Sequence, residues 1–466
     1  MSQSSPETSL PFDVAVIGAG VVGCAVFREL VMAGLRCLLV ERDADIINGA
    51  SKANSALLHT GFDAIPGGVE AACVRDGYAR YREIHQRLGL PLLETGATLL
   101  AWSDGDLAAL PRIAEQARAN GVIDIRMLGA DEILVREPHL ARNVRGGLLI
   151  PGESVIDPWS APLAYATQGI ANGGTVLRGT EVTSGVLDHG VWTLTTTGTP
   201  IRAGVVINCA GNFGDLVEAI ARPSPFEIRP RNGQFVVLDK TASRLANSIL
   251  LPVPNERTKG VVITRTAFGN LLIGPTAEEQ SERRYAATER ATLEALLAQG
   301  HRMIPALADE PVTATYAGLR PATQFKDYQI EAVQERRWIT VGGIRSTGLT
   351  GALGIAAVVA GLYEQHFAAL HPLRDPIWTT VANLTEGSPR PWMAGARSEI
   401  ICHCEMVTQS EIEIALGGAL PAADLGGLKR RTRCMMGRCQ GFYCTRRVLD
   451  IAREKCPELV EPLESI

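Results

Sequence analysis

Phe12-Asp13-Val14-Ala15-Val16-Ile17-Gly18-Ala19-Gly20-Val21-Val22-Gly23 sets the fold class of this chain. The apolar run Val14 to Ile17 is what a parallel strand buried on both faces requires. Three glycines follow it at the spacing GxGxxG. Gly18 allows a tight turn off the strand, Gly20 lets backbone approach a pyrophosphate, and Gly23 lets the next helix pack close to the strand. That helix is expected to run to about Met32, with Gly34 turning the chain out of it. A second apolar strand, Cys37 to Val40, ends at Glu41, 23 residues after Gly18. A carboxylate there accepts hydrogen bonds from an adenosine ribose. The helix N-terminus offers unpaired N–H groups and a favourable dipole to phosphates. The stretch reads as a dinucleotide site, with a glycine-rich turn in an unrelated α/β domain as the alternative. By itself it does not choose between FAD and a nicotinamide.

Two further pieces of the same unit recur downstream. Gly204 to Asn208 is a buried strand running into Cys209-Ala210-Gly211-Asn212-Phe213-Gly214-Asp215, a turn that leads into a helix. Trp338 to Gly343 is another, followed by a glycine-rich helix from about Leu349 to Leu362. That helix is apolar nearly all round, which fits burial against a sheet. Its small first residues leave room for a cofactor to lie across it.

These pieces resemble the flavin-dependent glycerol-3-phosphate dehydrogenase and L-2-hydroxyglutarate dehydrogenase group, within the D-amino-acid-oxidase-like fold. The resemblance covers about residues 12 to 370. Its specific marks are Ser51-Lys52-Ala53-Asn54-Ser55-Ala56-Leu57-Leu58-His59-Thr60-Gly61, Ala317-Gly318-Leu319-Arg320-Pro321 and Gly343-Ile344-Arg345-Ser346-Thr347-Gly348-Leu349-Thr350. It implies FAD as cofactor, with the first two segments lining the flavin ring and substrate pocket and the last wrapping the flavin. It also implies an α/β fold in which a Rossmann-like FAD-binding domain (12–90, 150–222 and 330–370) is interleaved with an antiparallel-sheet substrate domain (91–149 and 223–329). Phe235 to Leu238, Val261 to Thr266, Leu271 to Ile273, Val312 to Tyr316 and Tyr328 to Ala332 read as strands of that second domain. Ser281 to Ala298 reads as a helix packed on one face.

Candidate chemistry follows from residue type. His59 suits proton uptake, since its ordinary pKa is about 6.5; the alternative is a histidine that holds its loop. Arg320 and Arg345 are charges inside apolar, glycine-rich segments. A buried arginine is costly unless it meets an anion. A substrate phosphate or carboxylate would serve, as would an internal salt bridge or a contact to FAD. Ser51, Lys52, Asn54 and Ser55 are expected at the FAD phosphates or the isoalloxazine edge, with a solvated loop as the alternative. With Gly211, Gly343, Gly348, Leu349 and Thr350, and with Gly18, Gly20, Gly23 and Glu41, they complete the expected cofactor set. Lys326, Asp327 and Tyr328 are expected at the rim of the substrate pocket. Glycerol 3-phosphate and a 2-hydroxy acid share an alcohol and an anionic end, and an amino or imino acid stays open.

After about residue 370 the chain changes character. His371 to Arg397 is rich in proline and tryptophan and reads as a linker laid over a surface. Six of the ten cysteines crowd the tail: Cys402, Cys404, Cys434, Cys439, Cys444 and Cys456. A CxC pair and a Cx4C pair supply four thiolates, a donor set for zinc or iron–sulfur. Seven basic residues and no acidic one lie between Lys429 and Arg447, an environment expected to favour thiolate. Short helices are expected at about Ser410 to Leu416 and Thr445 to Arg453. Residues 398–466 resemble the BFD-like [2Fe-2S] domain found fused to some of these flavoproteins. On that resemblance the ligands are Cys402, Cys404, Cys439 and Cys444, and Cys434 departs from the pattern. A flavin beside a one-electron centre implies a dehydrogenase that passes electrons to an acceptor protein or partner subunit. A purely structural cluster is the alternative.

The totals agree with an enzyme of this kind. The 466 residues carry 46% hydrophobic and 20% charged side chains, a formal net charge of -5 and 47 glycines. A nucleic-acid binder would show a basic excess. Met1 to Leu10 has no basic stretch followed by an apolar one, and no run of 18 apolar residues occurs. A cytoplasmic protein is expected, with peripheral attachment to a membrane left open.

Overall fold

The computed structural model describes residues 10–254, 260–395 and 397–460. The polar N-terminal stretch lies outside them up to residue 9, as do the last six residues of the C-terminal unit.

Strand β1 (Phe12–Ile17) leads through the glycine turn into helix α1 (Val21–Met32), and strand β2 (Cys37–Val40) follows. β1 sits in the middle of a sheet, parallel to β2 on one side and to Ile201–Asn208 on the other. Trp338–Gly342 continues the parallel set beyond Ile201–Asn208. Val14, Ala15 and Val16 are wholly buried, because helices cover one face and a β-hairpin, 182–196, extends the sheet beside the other. Helix Gly348–His366 packs against α1 and against helix α2 (Val69–Leu88) in one apolar core.

A second sheet of nine strands stands beside the first. Its longest pair, Arg229–Leu238 with Val312–Ala322, is antiparallel over most of both strands. One pair, Ile249–Pro252 with Ala97–Ala101, is parallel. Two expectations fail here. Gln329–Val333 pairs with Trp338–Gly342 and belongs to the first sheet, because only a short turn separates them. The helix expected from Ser281 spans Arg290–Met303 instead. Residues 281–287 are drawn across to the first sheet's side, where Arg283 pairs with Asp215 and Arg284 with Asp43.

The segment 371–395 runs back over the first unit: His371 N donates to Ala33 O and Val381 N to Leu88 O. The C-terminal unit has its own apolar core around Val407, Ile412, Leu428 and Val448. Helices Gln409–Ala415, Leu425–Thr432 and Thr445–Lys455 surround it. The middle one coincides with the start of the basic run, and Asp424 caps it by accepting from Gly427 N at 2.5 Å. No helix among the described residues is long and apolar enough to cross a membrane.

Candidate functional site

A cavity of about 1100 Å³ takes its walls from both sheets. At one end stands the glycine turn. Gly18 has φ +102°, and a side chain there would start 2.6 Å from the Cys209 carbonyl oxygen. A Cβ on Gly23 would lie 1.8 Å from the Gly18 carbonyl oxygen, so strand and helix meet backbone to backbone. Gly18 and Gly20 line the cavity while Gly23 stands behind them. Glu41 also lines it, and its carboxylate accepts from Ala19 N at 2.8 Å and Asp43 N at 3.0 Å. Burial pushes this carboxyl above its ordinary range, although those two N–H groups pull it back. Two bonds leave a carboxylate with further lone pairs for a ligand.

The polar segment after β2 does more structural work than its sequence suggested. Ser51 Oγ accepts from Val21 N at 2.9 Å and so caps α1 from outside the helix. Asn54 ties its own loop, accepting from Ala56 N at 2.8 Å and donating to Ser51 O at 3.0 Å. Both still line the cavity, with Ser55, Gly211, Gly348 and Leu349. Gly343 and Thr350 do not. Thr350 is buried and holds the next element, accepting from His59 N at 2.9 Å and donating to Leu57 O at 3.3 Å.

That bond places His59 at the cavity wall. Its Nδ1 lies 2.9 Å from Oε2 of Glu153, a carboxylate with no exposed surface. The other oxygen of Glu153 accepts from Thr60 N at 2.7 Å and Thr60 Oγ1 at 2.8 Å. Glu153 escaped the sequence reading. It stands in Pro151-Gly152-Glu153-Ser154, 94 residues from its partner. The one signal available was an acid in a tight turn between apolar runs.

Arg320 lies on the strand Val312–Ala322 and lines the cavity. Both terminal nitrogens donate to one backbone oxygen, that of Thr276, at 3.1 Å. No carboxylate pairs with it among the described residues. The sheet register sets it directly opposite Arg231, whose own partner is Glu279 at 3.1 Å. Like charges facing each other across a strand pair are unfavourable. Burial, with Arg231 adding to it, lowers the Arg320 guanidinium to about 10. Arg345 also reaches the cavity, and its Nε is buried with no hydrogen-bond partner among the described residues. Lys326 lines the cavity, but its neighbours do not. Asp327 caps α2 through Val69 N and Glu70 N, both at 2.8 Å, and Tyr328 bonds Thr347 Oγ1 at 2.6 Å.

In the C-terminal unit the thiols stand in two neighbouring pairs, Cys404 with Cys439 and Cys402 with Cys444. Cys439 is held below its ordinary range, first by the Tyr443 N–H and also by those of Gly441 and Phe442. Burial pushes Cys434 up to about 11, the mark of a packed thiol. Among the described residues no group of three or more His, Cys, Asp or Glu side chains converges as a metal would require. The basic residues expected to surround the cysteines are mostly engaged elsewhere. Arg431 goes to Asp45, Arg433 to Glu405, Arg438 to Asp239 and Arg447 to Glu399. Each finds a carboxylate at its own position, which a count of charges along the chain cannot reveal.

Comparison with known proteins gives this geometry a setting. A family model described as FAD dependent oxidoreductase matches residues 13–362. A glycerol 3-phosphate dehydrogenase of Caloramator mitchellensis is 33% identical over 460 residues, covering 97% of this chain and 96% of that protein. A glycerol 3-phosphate oxidase of Mycoplasma pneumoniae is 30% identical, covering 82% of this chain and 99% of its own length. The solved structure of a dithionite-reduced L-alpha-glycerophosphate oxidase from Mycoplasma pneumoniae with FAD bound superposes with a TM-score of 0.74 at 27% identity. It covers 80% of this chain and 100% of that one.

Proposed function

The chain belongs to the FAD dependent oxidoreductase family, and from that premise we propose that it is a dehydrogenase acting on glycerol 3-phosphate. The observation that carries this reading is Arg320, a guanidinium at the cavity wall, opposed by Arg231 and given only a carbonyl. A phosphate there would supply the missing counter-charge, and the planar fork of arginine matches it with two parallel bonds. Arg345 would add a second donor. His59 would take the proton of the substrate hydroxyl at Nε2, because Glu153 holds Nδ1. A buried carboxylate in that position fixes the ring's tautomer and stabilises its charged form. Bound FAD would supply the hydride acceptor.

The residues fit that cofactor. Gly18, Gly20 and the N-terminus of α1 would face its pyrophosphate, and Glu41 its ribose. Asn54, Ser55, Gly211, Gly348 and Leu349 would line the remainder. An anaerobic titration tests the substrate. Glycerol 3-phosphate should bleach the flavin, with L-2-hydroxyglutarate and L-proline far behind. Bleaching by proline and not by glycerol 3-phosphate would overturn the reading.

For the C-terminal unit we propose a [2Fe-2S] cluster that Cys402, Cys404, Cys439 and Cys444 would hold on drawing together from the two pairs in which they stand. Its support is the donor set and the three backbone N–H groups around Cys439, a nest suited to an anionic sulfur. Such a centre carries one electron at a time, so the partner called for is an electron-acceptor protein or subunit. Phe442 and Tyr443, both strongly exposed on the loop between Cys439 and Cys444, would meet it. Iron and acid-labile sulfide in equal amounts are expected, and zinc alone would refute the cluster.

A further inference from the structure

The segment that leaves β2 faces two ways. On one side Asp43, Gly49 and Ser51 line the cavity. On the other, Asp45, Ile46 and Asn48 receive the helix Leu425–Thr432. Asp45 has no exposed surface, and Arg431 grips its carboxylate through both terminal nitrogens at 2.6 and 2.9 Å. Arg178 adds a bond at 3.2 Å and Ala423 N one at 3.3 Å. Arg430 donates to Ile46 O at 3.2 Å and to Asn48 Oδ1 at 3.0 Å. Asn48 Nδ2 donates to Asp424 Oδ2 at 2.8 Å. The fit is close, since a Cβ on Gly427 would lie 1.7 Å from Asp45 Oδ2. Burial works to raise the Asp45 carboxyl, but Arg431 and Arg178 outweigh it and hold it below its ordinary range.

Between these contacts sits Ile47, with φ +66°. A β-branched residue in the left-handed region is strained, and such strain persists only where the surroundings enforce it. Ile47 N donates to Ala19 O at 3.0 Å, and Ala19 is the residue between the two cavity glycines. One backbone bond therefore joins the clamped segment to the glycine turn. Apart from one short helical turn, Ala50–Lys52, the segment has no regular structure of its own to hold this shape.

We infer that Asp45 is a positioning residue for the cofactor: by seating Arg431 it lets the C-terminal unit hold the nucleotide-binding segment in its binding shape, so that flavin affinity and docking of the C-terminal unit are coupled. The inference rests on FAD occupying the cavity. It assigns the C-terminal unit a role that does not depend on a metal.

The test compares two arginines in the full chain. Arg431→Met removes the clamp. Arg390→Met removes a pair of similar burial, with Glu411, that makes no bond to residues 41–52. FAD dissociation constants are read from flavin fluorescence after deflavination. Arg431→Met should weaken binding about tenfold, within the roughly 5- to 150-fold range of coupling between sites. Arg390→Met should leave it unchanged. Equal losses in both, or none in Arg431→Met, would overturn the coupling. Should Arg431→Met fail to fold, hydrogen exchange on the unaltered chain decides. Coupling is reciprocal, so FAD should slow exchange at 425–432 more than at 445–455, and equal exchange with and without FAD would overturn it. An unaltered chain that never takes up FAD would sink the cofactor reading itself, which is a separate outcome.

Discussion

The two walls of the cavity are built by different means. The nucleotide wall is mostly backbone: a glycine turn, a helix N-terminus capped from outside by Ser51, and small residues at the start of Gly348–His366. The substrate wall is side chains: Arg231 and Arg320 meet across strands far apart in sequence, and His59 is held by Glu153. A backbone wall depends on what is missing at fixed positions. A side-chain wall depends on which residues the sheet register brings face to face.

The largest effect expected from this contrast is at Gly23. A valine there would drive its Cβ into the Gly18 carbonyl, and neither element can retreat while β1 stays in its sheet. Gly23→Val should yield protein with no bound flavin, read from the absorbance of the purified chain. Flavin retained at the normal level would mean that the turn is not what holds the cofactor. Arg320→Met should do the reverse. Flavin content should stay full while kcat/KM falls about 10²- to 10³-fold, the cost of leaving a bound anion without its charged partner. Loss of flavin in Arg320→Met would erase the division between the walls.

The same contrast explains what could be read from the sequence. β1, α1, β2 and Glu41 are contiguous, and each glycine has a local steric reason, so the first wall was legible in about thirty residues. Arg320 and His59 were identifiable by type and by resemblance. The partners that define them were not. Glu153 reaches His59 from the turn before strand Ser154–Val155, and Arg231 faces Arg320 only because Arg229–Leu238 pairs with Val312–Ala322 in one register. The tail misled in the same way. Its arginines suggested a basic shell around the cysteines, whereas Asp45, Glu405, Asp239 and Glu399 claim most of them.

A smaller effect separates the parts of the substrate wall. Glu153→Gln keeps the shape but removes the charge that faces His59 Nδ1. The rate of flavin reduction by substrate should fall about 10²-fold, the lower end of what general-base catalysis contributes. Flavin content and substrate affinity should change little, because Glu153 makes no contact at the anion end. A drop in affinity without a drop in rate would recast His59 as a binding group.

The smallest effect is a pH limb, and its sign follows from Arg320. Burial, with Arg231 adding to it, disfavours the cation and lowers the guanidinium to about 10, below its ordinary range. Below pH 10 the guanidinium is charged and attracts an anion; as pH rises through 10 that attraction is lost. An anion bound against it favours the cation, so the complex should titrate higher than the free enzyme. The prediction is therefore a fall in kcat/KM above about pH 10, with kcat level over the same range, since kcat/KM reports the free enzyme and kcat the complex. Steady-state profiles of the unaltered chain and of Arg320→Met separate the causes. The limb should vanish in the variant, which has no guanidinium to titrate. A limb that survives would belong to another cation, and Lys326 and Arg345, which line the cavity and have no carboxylate partner among the described residues, would be the residues to exchange next.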